Sequence, residues 1–170
     1  KFKIPRPTKT DRNLKSFYSR HINEFLILNR HIDTVINCAA SLKPKNHKEY
    51  YFNSCFPILF QEALFKLNEH SAFINVSSTR IFKNSMDTYS LSKKESEKIM
   101  FSKGKVILIY PDIILDKTKG AYNDLENILS NKIPFVPVFN PGNYFYPINC
   151  SSLAEKILMI SLDKIENKKK

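Results

Sequence analysis

The 170-residue sequence predicts an α/β fold, a doubly wound parallel sheet with helices on both faces. Three short apolar runs rich in β-branched residues have the composition of buried parallel strands. In the two longer stretches between them, apolar residues recur at helical spacing. Strand, helix, strand, helix, strand is the pattern of βαβ units, whose crossovers are right-handed.

The core elements follow from these runs. Strands are predicted over residues 32–40 (IDTVINCAA), 72–77 (AFINVS) and 105–110 (KVILIY), and helices over 50–68 and 87–101. Each run is short enough for a strand, and each helical stretch is long enough to cross the sheet.

The remaining predicted elements are short strands over 1–5 and 17–23, a helix over 123–130, an extended edge segment over 134–139 and a last helix over 152–161. Pro5 and Pro7 limit the first strand, because proline donates no hydrogen bond to a sheet. Asn123 is the expected cap of the helix over 123–130, and Ser151 or Ser152 that of the last helix.

The net charge of +11 raises the question of a nucleic-acid or anionic membrane partner. Lysines are scattered along the chain, and the only dense run is 168–170. We therefore expect neither partner. Nucleic-acid binding through the basic surface is the alternative, and it requires strongly salt-dependent affinity.

The apolar runs and cysteines bound the protein class. No run approaches the roughly 18 apolar residues of a membrane span, so we expect a soluble protein. Cys38, Cys55 and Cys150 form no metal or disulfide spacing, and nothing resembling a signal peptide precedes them. The four histidines show no metal spacing either. A cytoplasmic protein without a metal fits these observations.

Tyr89 and Lys93 carry the clearest chemical pattern, because residues four apart lie on one face of a helix. A phenol is a poor base at neutral pH, and a neighbouring cation favours the phenolate, which suits the pair to proton transfer. A half-buried tyrosine beside a solvated lysine is the plain alternative. Position in the fold has to decide between the two.

Ser77 ends the second predicted core strand and Ser78 directly follows it, within NVSSTRIF. Open α/β sheets bind ligands at the carboxyl ends of their strands, so these hydroxyls are placed for binding. A strand-ending turn without further role is the alternative.

The ordered series IDTVINCAA, YYFNSCFPILFQEAL, AFINVSSTRIF and YSLSK resembles the extended branch of the short-chain dehydrogenase/reductase superfamily, the branch of nucleotide-sugar epimerases, dehydratases and 4-keto reductases. PFVPVFNPGNYFYPINCSSLAEKIL is similar to that branch's "PVFGDG…RDFVHVDDLAEAIL" stretch. The resemblance implies a Rossmann-like core over 1–115 that binds NAD or NADP. It also implies a small substrate-binding lobe over 116–170, interleaved with the core.

The resemblance implies a catalytic set of Ser78, Tyr89, Lys93 and Asn53. Ser78, three residues before Ile81, would hydrogen-bond the substrate oxygen, and Tyr89 would be the acid/base. Lys93 would hold the nicotinamide ribose and lower the pKa of Tyr89. Asn53 matches a helix asparagine that supports the lysine, often through water, and a bond to the backbone alone is the alternative.

The implied cofactor-binding set comprises Arg6, Asn23, Ala39, Ala40, Tyr89, Lys93 and Pro111. Ala39 and Ala40 match small residues where the chain passes close to the cofactor. Pro111 matches the family's "RP" motif, in which Tyr110 here replaces the arginine. Arg6 is either a reader of the NADP 2′-phosphate or a structural ion-pairing residue, so NAD and NADP both stay open.

The family's first strand and Gly-rich turn are missing from this sequence, since all three glycines lie in its second half. Because residues 1–8 resemble the family's second strand, we expect about 25 to 30 further residues upstream, the length of one strand, turn and helix. A natural remnant that binds no dinucleotide is the alternative.

The resemblance implies an NAD(P)-dependent oxidoreductase, epimerase or dehydratase that acts on a nucleotide-linked sugar in surface-polysaccharide synthesis. The alternative is a degenerate member that serves as a non-catalytic binding or regulatory module, without cofactor affinity. The short spacing from Ser78 to Tyr89 and the missing arginine near 143–145 depart from the sugar-nucleotide pattern. A homodimer is left open.

Overall fold

The computed structural model describes residues 4–5, 7–8, 11–83, 86–102, 106–116, 130 and 146–166. Arg6, the segment predicted over 134–139 and all but the last residue of the helix predicted over 123–130 lie outside this part of the chain. Of the strand predicted over 1–5, only residues 4 and 5 are described, and neither lies in a strand.

The first element is helix α1 (Leu14–Leu28), so the strand predicted over 17–23 is wrong. The Asn13 side chain caps the helix by accepting a hydrogen bond from the Ser16 backbone N–H at 3.0 Å. One residue in four is buried along the whole helix, at Leu14, Tyr18, Ile22 and Leu26. This helical period extends beyond both ends of the short segment that we assigned as a strand.

The elements after α1 are β1 (Thr34–Asn37), α2 (His47–Ser54), α3 (Phe56–Leu67), β2 (Ala72–Val76), a 3-10 helix (Thr79–Phe82), α4 (Thr88–Ser102), β3 (Val106–Ile109), β4 (Ile113–Leu115), β5 (Pro147–Asn149) and α5 (Cys150–Glu166). The three predicted core strands are all present and shorter than assigned. β4 was not among the predicted elements.

The main sheet has the order β1-β2-β3, and both strand pairs are parallel. Asn75 in the central strand β2 lies opposite Asn37 on one side and Leu108 on the other. A separate two-stranded parallel sheet joins β4 and β5. The predicted α/β class with a parallel sheet is confirmed.

The single helix predicted over 50–68 is divided into α2 and α3 at Cys55. Pro57 lies in the first turn of α3, where its missing N–H costs no helical hydrogen bond. Further into a helix the same proline would remove one, so the chain starts a new helix here.

The last helix also differs from its prediction, because α5 begins directly after β5 rather than at residue 152. The Asn149 side chain accepts hydrogen bonds from the backbone N–H and the hydroxyl of Ser151, at 3.0 and 2.8 Å. Asn149 therefore caps the helix, and the predicted caps Ser151 and Ser152 lie inside it.

Two apolar clusters cover the two faces of the main sheet. Phe73 of β2 belongs to the larger cluster with α1 and α3, where side chains such as Tyr18, Ile22 and Leu64 are buried. Ile74, the next residue, packs with residues of α5 on the other face. Helices therefore cover both faces, as predicted. None of the helices in the described ranges has the length and apolar character to cross a bilayer.

We expect Leu64→Ala to lower the free energy of unfolding by about 2–5 kcal/mol, because it opens a cavity in the larger cluster. Leu67→Ala, on the same helix, is the matched control, because Leu67 is 42% exposed whereas Leu64 is fully buried. Urea unfolding followed by circular dichroism measures both variants. Equal losses would contradict the assigned core.

Candidate active site

Ser78 lies at the carboxyl end of the central strand β2, where the sequence predicted it. The preceding Ser77 N–H donates to the Ile109 carbonyl at 2.7 Å, which continues the pairing of β2 with β3. Ser78 then has an extended backbone, and its Oγ accepts from the Arg80 N–H at 3.3 Å. Parallel pairing thus delivers this buried hydroxyl to the start of the 3-10 helix.

Tyr89 and Lys93 lie one turn apart on α4, and both side chains are buried against the end of β2. Lys93 Nζ donates to the Val76 carbonyl at 3.0 Å and lies 6.0 Å from the centre of the Tyr89 ring. A side-chain hydrogen bond joins Tyr89 and Ser78. The structure therefore brings the three predicted residues together, and their roles stay predictions.

Opposing effects act on the pKa of Tyr89. Burial raises it most, and Asp87 raises it further, whereas the charge of Arg80 and the hydrogen bond with Ser78 lower it, so that the pKa lies above its ordinary value. The Arg80 Cζ lies 5.7 Å from the ring centre, and its Nη2 donates to Asp87 Oδ2 at 3.3 Å.

Arg80 is a site residue that the sequence analysis missed. The resemblance assigned to Lys93 the cation that lowers the pKa of Tyr89, whereas in the structure Arg80 is the cation that lowers it. The available signal was its position two residues after Ser78, in SSTR. Asp87 holds the guanidinium while accepting from the N–H and hydroxyl of Ser90 in the first turn of α4.

Glu97 is a second residue that the sequence analysis missed. It is buried on α4, accepts a hydrogen bond from the Ser77 hydroxyl, and accepts another from the Tyr110 hydroxyl at 3.0 Å. Burial raises its pKa. The available signal was its spacing, four residues after Lys93.

Asn53 connects the loop after β1 with α4. Its side chain accepts from the Ser41 N–H and donates to the Ser41 carbonyl, both at 2.8 Å, and donates to Ser92 Oγ at 3.2 Å. Ser92 precedes Lys93 in α4, so Asn53 bonds both a backbone segment and a side chain next to the lysine. Its support of Lys93 stays a prediction.

Three of the implied cofactor residues lie at carboxyl ends of strands in the main sheet. Ala39 and Ala40 follow β1, and the Ala39 N–H donates to Asn37 Oδ1 at 3.2 Å. Pro111 follows β3, and its carbonyl accepts from the Thr79 N–H at 3.1 Å. Together with Ser78 after β2, they occupy the edge of the sheet where open α/β folds bind ligands.

Of the two remaining implied cofactor residues that are not on α4, the structure describes Asn23 and not Arg6. Asn23 was assigned to the end of a strand, and it instead lies on α1 with an exposed side chain. The argument that placed it at a strand end is therefore wrong. Arg6 lies outside the described residues.

Comparison with solved structures supports the fold. A short-chain dehydrogenase from Streptomyces avermitilis superposes with a TM-score of 0.50 at 14% identity, over 91% of this chain and 73% of that one. This likeness shows a Rossmann-like fold of the kind found in short-chain dehydrogenases.

Two further solved structures resemble the chain with lower TM-scores, which add nothing to that argument. A short-chain dehydrogenase/reductase from Vibrio parahaemolyticus gives a TM-score of 0.49 at 17% identity, over 81% of this chain and 74% of that one. A short-chain dehydrogenase from Burkholderia cenocepacia J2315 in complex with NADP gives 0.49 at 16% identity, over 86% and 70%. No family model matches the sequence, and no curated protein matches it.

We expect Asn53→Ala to expose the Ser41 amide to hydrogen exchange, because its acceptor is lost. The cost to stability should be about 1–3 kcal/mol, the scale of leaving buried polar groups unpaired. Ser92→Ala removes the bond from Asn53 to Ser92 and the Ser92 hydroxyl's bond to the Tyr89 carbonyl, and it leaves both bonds to Ser41 in place, so it is the control that keeps the Ser41 amide protected. Amide hydrogen exchange measured by NMR tests this expectation. Unchanged protection of the Ser41 amide in Asn53→Ala would contradict the hydrogen bond from Ser41 to Asn53.

We expect Ser78→Ala and Arg80→Gln each to raise the pKa of Tyr89 further, because each removes a contact that lowers it. The measurement is an NMR pH titration of ring-labelled tyrosine, with Tyr89→Phe identifying the signal. Ser71→Ala is the control, because that buried hydroxyl bonds the Ile32 carbonyl near the other end of β2. A lowered pKa in either site variant would contradict the electrostatics described here.

Proposed function

We propose that the chain is an NAD(P)-dependent oxidoreductase of the short-chain dehydrogenase type. The observation that carries the proposal is the meeting of Ser78, Tyr89 and Lys93 at the carboxyl end of β2, with both α4 side chains buried. A serine or threonine hydroxyl, a phenol and an ammonium at one strand end can bind an oxygen, move its proton and hold a ribose.

The residues at the strand ends fit a nicotinamide cofactor. Ala39 and Ala40 carry only a methyl group each, so the chain after β1 leaves room for a close approach. Asn75 is fully buried, and its Nδ2 has no hydrogen-bond partner among the described residues. A buried donor of this kind is costly unless a partner satisfies it, which a bound ligand or water would do.

The cofactor, when bound, supplies or accepts a hydride. The chain's own residues bind the substrate oxygen and transfer its proton. Ser78 donates a hydrogen bond to a carbonyl oxygen, and Tyr89 gives it a proton as the carbonyl becomes an alcohol. In the oxidative direction Tyr89 takes the proton back, and Arg80 and Ser78 stabilise the phenolate.

Lys93 has donors left for the ribose. An ammonium has three N–H groups, and one of them bonds the Val76 carbonyl. The others can bind ribose hydroxyls without breaking that contact. Holding the ribose beside Tyr89 would place the nicotinamide ring next to the proton donor. Such positioning of reacting groups lowers the entropic part of the activation barrier.

We further propose a nucleotide-linked sugar as the substrate, in the epimerase, dehydratase or 4-keto reductase branch and in surface-polysaccharide synthesis. The support is the resemblance of residues 32–93 and 134–158 to that branch. The cytoplasm is the proposed compartment, in keeping with three free cysteines. We propose neither a nucleic acid nor a membrane as partner, and self-association into a homodimer is testable by sedimentation.

We expect Tyr89→Phe in the full-length gene product to lower turnover at least about a hundredfold with nearly unchanged cofactor affinity, the scale for losing a positioned acid/base. Lys93→Ala should lower both turnover and cofactor affinity, because it removes a ribose contact as well as a charge. Tyr146→Phe is the control, because that side chain is 77% exposed.

The measurements are fluorescence titration with NADH and NADPH and steady-state kinetics on a panel of 4-keto nucleotide sugars. Wild-type turnover in Tyr89→Phe would overturn the mechanism. A protein that takes up neither cofactor would replace the proposal with the non-catalytic binding module.

A further inference from the structure

We propose that Glu97 is a positioning residue whose carboxylate joins α4 to the ends of β2 and β3 and supports Lys93, one turn away on the same buried helix face. The consequence for cofactor binding rests on the function proposed above, whereas the effect on Lys93 does not.

The geometry places one carboxylate among three elements. Tyr89, Lys93 and Glu97 follow at intervals of four residues on α4 and share one face. Glu97 is 4% exposed, and its two oxygens accept from Ser77, directly after β2, and from Tyr110, directly after β3. The carboxylate therefore joins α4 to the ends of two neighbouring strands.

Lys93 needs such a neighbour, because its surroundings disfavour a charge. Its side chain is 1% exposed, and the hydrogen bond to the Val76 carbonyl is to a neutral group. Burial lowers the pKa of Lys93, and the charge of Glu97 is the largest effect that raises it again, followed by Cys38. Without the carboxylate, we expect Lys93 to lose its proton at a lower pH than it does with Glu97 present.

The two hydroxyls let Glu97 supply that charge. Burial raises the pKa of Glu97, while the bonds from Ser77 and Tyr110 and the charge of Lys93 lower it. Both hydroxyls donate to the ionised form, so they stabilise the carboxylate inside the protein. The pKa of Tyr110 is raised to about 12 by burial and by Glu97, so its proton stays available as a donor.

The other titratable groups that face this cluster do not replace Glu97. Cys38 acts on Lys93 from the loop after β1, and its own pKa is raised by burial, which keeps the thiol neutral. Arg80 and Asp87 act on Tyr89 from the 3-10 helix and from the start of α4. Of the two groups that raise the pKa of Lys93, Glu97 is the carboxyl and has the larger effect.

A purely structural role makes a different prediction from a positioning role. Glutamine has the length of glutamate, and its amide can still accept from one hydroxyl and bond with the other. Glutamine at position 97 can therefore largely fulfil a structural role. It cannot fulfil a role that depends on the negative charge, because its amide is neutral.

The first experiment follows Lys93 itself in Glu97→Gln, through the pH dependence of its ¹³Cε NMR signal, which Lys93→Arg identifies. We expect Lys93 to lose its proton at lower pH in the variant than in the unchanged protein. Glu95→Gln is the matched control: it removes the same charge from an exposed position on the same helix and should leave Lys93 unchanged. An unchanged titration of Lys93 in Glu97→Gln would overturn the proposal.

Lys93→Gln keeps the test decisive if Glu97→Gln fails to fold. The charge of Lys93 lowers the pKa of Glu97, so loss of the ammonium should let Glu97 keep its proton to higher pH. The pH dependence of the ¹³Cδ NMR signal of Glu97 measures this, and an unchanged titration of Glu97 would count against the proposal in the same way.

The second experiment measures NADH and NADPH affinity against pH in the full-length gene product. In Glu97→Gln we expect a weakening that grows with pH to about tenfold, the scale of one charge-assisted hydrogen bond. A constant, pH-independent loss would indicate a structural role and overturn the proposal. If the unchanged protein binds neither cofactor, the proposed function fails, and the titration of Lys93 still decides the role of Glu97.

Discussion

The hydrogen bond from Lys93 Nζ to the Val76 carbonyl, 3.0 Å long, fixes α4 against the end of β2. Helical geometry then determines the rest, because Tyr89 lies one turn before the lysine and Glu97 one turn after it. The phenol meets Ser78, and the carboxylate meets Ser77 and Tyr110. Ser77 and Ser78, which follow β2, thus contact two different turns of α4.

This arrangement places polar groups where a protein core would place apolar ones. Lys93 and Glu97 are both desolvated, and each charge costs folding free energy that only the other charge and the nearby donors offset. The larger apolar cluster lies between the sheet, α1 and α3. The largest group of buried apolar side chains therefore lies away from the strand ends where Lys93 and Glu97 are buried.

Local sequence patterns predicted the parts of the fold that local physics determines. The runs of β-branched residues identified all three strands of the main sheet, and the spacing of Tyr89 and Lys93 gave their common helix face. The strand assigned over 17–23 failed because the decisive pattern, one buried residue in four, extends through the whole of α1. A short window contains too little of that period to separate a helix from a strand.

The missed site residues share a different cause, which is that their partners are distant in the sequence. Arg80 is identified by the Tyr89 ring above which it lies, and Glu97 by hydroxyls from two different strand ends. Asn53 was selected as a helix asparagine that supports Lys93, and its partners Ser41 and Ser92 follow from tertiary packing. Spacing in one element cannot reveal such pairs, because it contains no information about the neighbouring element.

The break at Cys55 does not uncouple α2 from α3. Cys55 donates to the Tyr51 carbonyl at 2.8 Å and accepts from the Leu59 N–H at 3.0 Å, so backbone hydrogen bonds run across the break. α2 carries Asn53 and contacts α4, and its Tyr51 ring also stacks on Tyr18 in the larger cluster, where α3 packs on α1. A substitution that shifts α3 in the core would therefore also move α2, which constrains how far the core can diverge in evolution without displacing α4.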